Sequence, residues 1–402
     1  MNQQAATSAG LPASRWTNTR LIFGSVVLLT ATGFNSLLAT ALTPVLSTIG
    51  EHFGGGTIGA LTAQNIVTMA AIGIMIGGPL LGVLTRWINV RHMLMLAFLV
   101  YAVGGSAGMY LDSAPAIFAA RLLQGIGAAG IGITTTALIG EKFQGNDRAK
   151  FLGYRDAFVA LFGFIALNGS GMLAEAAGWR ANFGLYLLAL PMLGILMLAI
   201  IPEPEKGISR DASDAPKFSV LRLWPTYLMI LACNVAGYML YLNLSFLLAG
   251  DDVTSPAVQG RIFAASTVMH FVGGMLYGRI VAKIGARWMF TAILCGMALS
   301  DFVIGFAPNT FWIVIGTGLA GLSGGNLLVY FSGLLLGKVP TENRPQAIGV
   351  MYMSMYVGQF LNPFVATPLR ALVGNHNAFL VVGAALLTFA VIQFRVRDAK
   401  QD

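Results

Sequence analysis

The chain alternates long apolar runs with short polar connections. Twelve of these runs could cross about 30 Å of hydrocarbon as helices, each of which needs about 20 residues. They lie at about 21–47, 57–84, 92–111, 115–140, 151–175, 182–201, 223–249, 257–281, 288–307, 310–336, 346–370 and 377–394. The sequence lacks the short alternating segments of a membrane β-barrel. Because backbone groups in lipid must satisfy their own hydrogen bonds, the pattern predicts an all-α membrane protein with 12 transmembrane helices.

Positive charge is distributed unevenly between the connections. Nineteen of the 24 Lys and Arg residues fall in the two tails or in the loops that follow even-numbered runs, whereas Arg180, Arg261 and Arg370 lie on the opposite side. Short cytoplasmic loops carry the excess of basic residues. The sequence therefore predicts a multi-pass protein of the cell inner membrane with both termini cytoplasmic.

One displacement relates the two parts of the chain. Residues 82–91 form a short basic hinge, and residues 278–287 repeat it at an offset of 196 positions. The same offset links Gly125 with Gly321 and Gly178 with Gly374. A repeat of this size predicts two pseudo-symmetric six-helix bundles related by an axis along the membrane normal.

The longest hydrophilic loop separates run six from run seven and sets the predicted domain boundaries. These are a cytoplasmic N-terminal tail at 1–20, a six-helix bundle at 21–201, a cytoplasmic linker at 202–222, a second bundle at 223–394 and a cytoplasmic tail at 395–402.

Composition excludes several classes of function. With 56% hydrophobic and 10% charged residues, the chain is far from the composition of soluble proteins. The net charge of +8 is scattered over short loops, so no nucleic-acid partner is expected. Cys233 and Cys295 lie inside apolar runs and are interpreted as packing residues. Without a phosphate-binding loop, a metal-ligand cluster or a catalytic constellation, the sequence predicts a non-enzyme without cofactors, driven by an ion gradient or by the substrate's own gradient.

The hinges and helix four resemble the major facilitator superfamily over nearly the whole chain. Gly82 and Arg91 match its hinge signature Gly-x-x-x-Asp-Arg-x-Gly-Arg-Arg, although Arg86 replaces the acid and Asn89 replaces the second glycine. Since asparagine tolerates the left-handed conformation, we expect Asn89 to preserve the turn. Residues 121–129, RLLQGIGAA, match a motif of the superfamily's 12-span drug:proton antiporter branch. The helix-five proline usual in that branch is missing, which weakens the antiport interpretation.

The resemblance implies a central cavity, and the polar and aromatic residues of the cavity helices are its candidate lining. A buried Arg121 would be costly and so suggests function, although a structural hub to helix one predicts the same residue. Tyr352, Tyr356 and Gln359 share one helix face, as either packing or ligand-binding residues would. The predicted substrate-binding set is Asn35, Gln64, Arg121, Gln124, Tyr238, Tyr241, Asn326, Tyr330, Tyr352, Tyr356 and Gln359.

Few titratable residues lie within the runs. Asp156 and His270 are the predicted proton-coupling residues, the histidine because its charge can change near neutral pH, although a core histidine is the alternative. The predicted gating residues are Gly82, Arg86, Arg91, Arg148, Arg155, Gly278, Lys283 and Arg287.

These observations together favour a secondary transporter that works by alternating access. The expected activity is proton-coupled export of a small amphipathic or aromatic compound by a monomer in contact with membrane lipid. A uniporter or importer of a polar metabolite is the alternative, favoured by Asn35 and by the missing proline. A membrane receptor, an embedded enzyme or a channel is a remote alternative, since no loop is long enough to form a sensing domain.

Overall fold

A computed structural model describes residues 18–84, 88–142, 145–198, 220–340 and 344–398, and every regular element in these ranges is helical. Short 3-10 turns lie at Thr43–Val45, Ala107–Met109, Leu185–Leu188 and Val220–Leu223. The α-helices are α1 (Asn18–Thr40), α2 (Leu46–His52), α3 (Gly56–Leu84), α4 (Val90–Ser106), α5 (Ala114–Lys142), α6 (Gly145–Ala177), α7 (Ala181–Gly184), α8 (Ala189–Leu198), α9 (Trp224–Gly237), α10 (Met239–Gly250), α11 (Pro256–Gly305), α12 (Thr310–Gly324), α13 (Leu327–Lys338), α14 (Arg344–Val373) and α15 (Asn375–Asp398).

Eight helical stretches in the described residues are long and apolar enough to cross a membrane. One of them is α11, which contains two predicted runs and turns between them at Gly285 (φ 79°, ψ 162°). The predicted run at 182–201 corresponds to a shorter apolar stretch, Ala181–Met197. The all-α membrane class is thus confirmed, whereas the count of twelve spans stays a prediction.

Several predicted runs are interrupted within the membrane region. The first breaks after Thr40, and the 3-10 turn that follows contains Pro44, which has no backbone N–H to donate to the Thr40 carbonyl oxygen and so cannot continue the helix. The seventh breaks at Tyr238 (φ −80°, ψ 0°), between α9 and α10. The tenth breaks between Gly324 and Leu327, where α12 gives way to α13.

The buried apolar side chains form separate cores. The largest core consists of buried residues between Val27 and Leu196, together with Leu242 of α10. Two further cores consist of residues between Tyr227 and Ala390, and one of the two also includes Leu167 of α6. We call residues 18–198 the N-terminal segment and residues 220–398 the C-terminal segment.

Helix packing repeats at the predicted offset. A Cβ atom on Gly125 of α5 would collide with the carbonyl oxygen of Ala70 in α3. A Cβ atom on Gly321 of α12 would collide with the carbonyl oxygen of Ser266 in α11. Gly321 and Ser266 each lie 196 positions after Gly125 and Ala70, respectively. The two segments therefore share the same close helix crossing, which small residues permit in membrane helices.

The two segments meet at one end, which we call the sealed end. It contains the turns at 53–55, 178–180, 251–255 and 374. Gly171 of α6 lies directly against Pro256 and Ala257, since a Cβ atom added to this glycine would lie 3.0 Å from Ala257 Cα. Gly50, at the end of α2, would bring a Cβ within 3.1 Å of the Phe246 ring of α10. The sealed end is therefore closed by small residues that let backbones of the two segments touch.

Candidate substrate cavity and gates

The segments separate away from the sealed end, and α11 shows where. Thr267 is buried and its methyl group would lie 3.6 Å from a Cβ on Gly163 of α6. Phe271 and Gly274, which follow Thr267 by one and two turns on the same face of α11, are exposed, and a Cβ atom on Gly274 would have no heavy atom within 4 Å among the described residues. Beyond Thr267, the α11 face that contacts α6 therefore borders an opening between the segments, and we treat this opening as the candidate cavity.

One stripe of α14 supplies aromatic side chains to this opening. Thr367 bonds to Gln64 of α3 at the sealed end, so its helix face points at the N-terminal segment. Tyr352, Tyr356 and Gln359 lie on the same face farther along the helix. The rings of Tyr352 and Tyr356 stack with centroids 6.5 Å apart, and the Tyr352 side chain is exposed, whereas Gln359 is buried. The structure thus brings the two tyrosines to the opening and leaves Gln359 in the packing.

Tyr238 and Tyr241 extend this aromatic wall at the break between α9 and α10. Both are partly exposed, and their ring centroids are 6.1 Å apart. The Tyr241 hydroxyl lies 3.4 Å from Ser266 Oγ of α11. Tyr238 packs against the core of the N-terminal segment. The pair therefore links both segments beside the opening.

Asn35 of α1 and Phe162 of α6 lie in the N-terminal segment at the same level as this opening. The partly exposed Asn35 faces α5, where its Nδ2 atom would lie 3.4 Å from a Cβ on Gly132. Phe162 of α6 covers Gly33 of α1 so closely that a Cβ atom on this glycine would lie 2.8 Å from the ring. Phe162 thus packs α6 against α1, and Asn35 is the predicted residue that remains partly exposed here.

His270 is exposed on α11 and lies between the opening and α12. Its imidazole covers Gly325, where a Cβ would come within 2.8 Å of Nε2. Ser266 and Gly273, one turn before and one turn after on the same side, contact α12. The predicted proton-coupling histidine therefore adjoins the break between α12 and α13.

Arg121 and Gln124 are completely buried in the N-terminal segment and expose no surface to the opening. Arg121 Nε donates to the carbonyl oxygen of Ile66 (2.9 Å), and Nη2 donates to that of Leu38 (3.3 Å). Nη1 donates to Gln124 Oε1, and the guanidinium lies 5.2 Å from the Tyr186 ring centroid. This geometry is that of a hub joining α1, α3 and α5, the alternative considered for a buried arginine.

Gln64 is also buried, and it bonds the segments together at the sealed end. Its Nε2 donates to the carbonyl oxygen of Leu242 (2.8 Å) and to Asn243 Oδ1 (2.9 Å). Its Oε1 accepts a hydrogen bond from the Thr367 hydroxyl. Both polar atoms of this amide bond to groups of the C-terminal segment, so Gln64 joins the two segments rather than lining the opening.

Asn326 and Tyr330 belong to the packing of the C-terminal segment. Tyr330 is buried and stacks on Phe290 with ring centroids 4.7 Å apart. Asn326 is buried at the start of α13, and its Nδ2 donates to the Leu322 carbonyl oxygen (2.8 Å).

The first hinge differs from expectation at Asn89. With φ −57° and ψ 135° its backbone is extended, so the expectation of a left-handed turn there is wrong. Instead, its side chain caps α4 by accepting a hydrogen bond from the Arg91 N–H (3.0 Å), a role that asparagine fills well at a helix start. Arg91 Nη2 donates to the Met197 carbonyl oxygen near the end of α8 (2.9 Å), and Gly82 lies in the last turns of α3.

In the second hinge, Gly285 has the positive φ that its sequence position predicts. Gly278 and Lys283 are exposed and Arg287 is partly buried. A groove beside this hinge is lined by Lys283, Ile284, Trp288, Thr291, Ala292 and Cys295. Arg86 and the side chains of Arg148, Arg155 and Asp156 lie outside the described part of the structure, so their predicted roles stay predictions.

A second polar cluster at the sealed end was not expected from sequence. The Ser245 hydroxyl oxygen accepts a hydrogen bond from the Ser47 N–H (3.2 Å) and its hydroxyl donates to Gln259 Oε1 (2.6 Å). Ser255 donates to Glu175 Oε1 at 3.0 Å. Serines are common in membrane helices, so only the pairing of α2 with α10 shows that these residues join the two segments.

Comparisons with known proteins agree with this arrangement. A family model described as Major Facilitator Superfamily matches residues 28–252 and 226–402. The vesicular acetylcholine transporter of Rattus norvegicus is 26% identical over 301 residues, which cover 70% of this chain and 56% of that protein. The multidrug resistance protein Stp of Mycobacterium tuberculosis is 22% identical over 329 residues, covering 67% and 61%. The chain thus matches little more than half of the length of these relatives.

Solved structures share the fold at low sequence identity. A crystal structure of a D-xylose-proton symporter aligns with a TM-score of 0.76 at 16% identity, covering 93% of this chain and 97% of that one. A peptide transporter in complex with sulfate aligns with a TM-score of 0.74 at 14% identity, covering 94% of each chain.

Proposed function

Because the chain belongs to the major facilitator superfamily, we propose that it is a secondary transporter that carries a small amphipathic or aromatic compound across the membrane by alternating access. The observation that supports this proposal is the asymmetry between its ends. Hydrogen bonds join Ser47 to Ser245 and Gln64 to Thr367 at the sealed end, whereas the exposed Phe271 and Gly274 border the opening farther along α11. Breaking the polar contacts would let the segments rock about a central site.

The proposed topology follows the distribution of basic residues. Twelve spans in two bundles, 21–201 and 223–394, place both termini in the cytoplasm of the inner membrane. The opening then faces the cytoplasm and the sealed end faces outward. We further propose that the protein functions as a monomer, because the opening lies between segments of one chain.

The proposed substrate wall consists of the side chains nearest the opening. It comprises Asn35, Tyr238, Tyr241, Tyr352 and Tyr356, a mostly apolar surface with a few polar groups as in ligand pockets generally. The buried members of the predicted set, Arg121, Gln124, Asn326, Tyr330 and Gln359, position the helices that carry this wall.

His270 is the described residue that we propose for proton coupling. Its ring covers Gly325 at the helix break, so gain of a proton would place a charge beside the least regular part of the tenth run. Asp156 remains a second proposed coupling residue.

A reversible lock tests alternating access. With Cys233 and Cys295 replaced by Ser, Ser47→Cys and Ser245→Cys would form a disulfide, since the two Oγ atoms are 3.1 Å apart. We expect oxidation to abolish flux in proteoliposomes and reduction to restore it. The two single-cysteine proteins are the matched controls and should transport under both conditions. Full flux through the oxidised double variant would refute the rocking mechanism.

Proton coupling and substrate class are tested in the same vesicles. Ethidium represents aromatic compounds and D-xylose represents polar metabolites, with an internal pH dye reporting proton movement. Export predicts ethidium counterflow driven by an imposed pH gradient and lost in His270→Ala. Xylose flux without proton movement would instead establish the uniporter alternative.

A further inference from the structure

Arg370 occupies an unusual place at the sealed end. It lies one turn beyond Thr367 on α14, and its guanidinium stacks over the Phe246 ring of α10 with 4.3 Å to the ring centroid. Phe246 in turn packs against Gly50 of the N-terminal segment. The arginine is therefore in the layer that separates when the sealed end opens.

The guanidinium has unused hydrogen-bonding capacity. Within the described parts of the chain, its Nε and Nη1 atoms are buried without a hydrogen-bond partner. Asp251, a carboxylate at the end of α10, is held by His376, whose Nε2 lies 3.0 Å from both of its oxygens. Asn375 Nδ2 donates to the Phe246 carbonyl oxygen (3.2 Å). The polar groups around Phe246 thus bond to one another, whereas these two Arg370 donors have only the Phe246 ring beside the guanidinium.

Arg370 is partly exposed, but its Nε and Nη1 donors are buried, and buried donors without hydrogen bonds destabilise the state that buries them. Arg121 shows the contrast, because its buried guanidinium is satisfied by two carbonyl oxygens and Gln124. Separation of Phe246 from Gly50 would expose the Arg370 donors to the space that then forms between the segments at the sealed end. We propose that Arg370 binds the carboxylate group of a small organic anion when the sealed end opens.

A carboxylate suits this position better than a phosphate. The guanidinium binds carboxylates through charge-assisted hydrogen bonds, and Phe246 offers an aromatic surface beside it for the body of the ligand. A phosphate dianion would lose the hydration of a second charge in these apolar surroundings. The site rests on the alternating-access proposal, because it forms when the segments part, but it requires neither a direction of transport nor proton coupling.

Benzoate and its neutral analogue benzamide test the site on the purified full-length protein. We expect benzoate to raise the midpoint of thermal unfolding and benzamide to leave it unchanged. Arg370→Gln should abolish the benzoate shift, and Arg370→Lys should weaken apparent binding by about tenfold, since lysine lacks the planar donor array. The matched control is Arg261→Gln, because Arg261 is exposed near the sealed end and should leave the shift intact. Arg370→Gln should itself be at least as stable as the parent without ligand, because it removes two buried donors that lack hydrogen-bond partners.

The lock between Ser47→Cys and Ser245→Cys separates two failures. If the oxidised protein loses the benzoate shift and regains it on reduction, the site opens with the sealed end. A benzoate shift that requires Arg370 but ignores the lock would overturn the opening mechanism while retaining the anion site. Absence of a shift in the parent protein, or an equal shift in Arg370→Gln, would overturn the site itself.

Discussion

Helix α5, which corresponds to the fourth predicted run, and its equivalent in the C-terminal segment share one helix crossing but differ in continuity and in side-chain chemistry. Helix α5 runs uninterrupted from Ala114 to Lys142. The residues 196 positions later run from Thr310 to Lys338, but they break into α12 and α13 at Gly325 and Asn326. Both versions cross their neighbouring helix at an equivalent glycine. The close crossing therefore occurs in both segments, whereas only α5 continues beyond it as an unbroken helix.

Side-chain chemistry distinguishes the two helices. Arg121 ties α5 to carbonyl groups of α1 and α3, and Tyr101 donates to the Phe34 carbonyl oxygen (2.7 Å) nearby. The equivalent positions are Thr317, which bonds within its own helix (2.7 Å), and Met297, an apolar core residue. At these positions a polar network joins the helices of the N-terminal segment, whereas a local hydrogen bond and apolar packing replace it in the C-terminal segment.

The largest expected effect is loss of the Arg121 hub. Arg121→Met leaves buried polar groups without their partner and should lower the unfolding free energy by more than about 3 kcal/mol. Thr317→Val, the equivalent change in the C-terminal segment, should cost about 1 kcal/mol or less, because the threonine bonds only locally. Chemical unfolding in detergent measures both. Equal losses would show that the hub does not distinguish the segments.

An intermediate effect is expected at the shared crossing. Gly125→Ala and Gly321→Ala should each destabilise by about 1–3 kcal/mol, because the new methyl group must push the neighbouring backbone away. Gly333→Ala is the control, since this exposed helical glycine has open space around it and should gain up to about 1 kcal/mol. A large loss at one crossing with none at the other would contradict their equivalence.

The smallest effect tests the break in the tenth run. Gly325→Ala should cost about 1 kcal/mol, because the methyl group displaces the His270 ring while alanine favours helix. Combining it with His270→Ala should recover that stability, and the double-mutant cycle measures the coupling. Additive effects would mean that the ring and the glycine are independent.

Much of this arrangement was predictable from residues alone. Run length and apolar composition indicated membrane helices, because lipid leaves the backbone no other partners. The offset of 196 positions located the paired crossings at Gly125 and Gly321, since a glycine needed for close contact is retained in both copies of a repeat. The same reasoning failed at Asn89, where a side-chain cap replaced the expected turn.

The sequence by itself determined the all-helical membrane class, the family resemblance and the internal repeat, because these depend on local composition and spacing. Tertiary structure alone decided which polar residues reach the opening. It places Tyr352 there and buries Gln64 in a contact between the segments, although both are polar groups in apolar runs. Contacts such as Gln64 with Thr367 join residues about 300 positions apart, and no local pattern encodes which distant atom satisfies a buried amide.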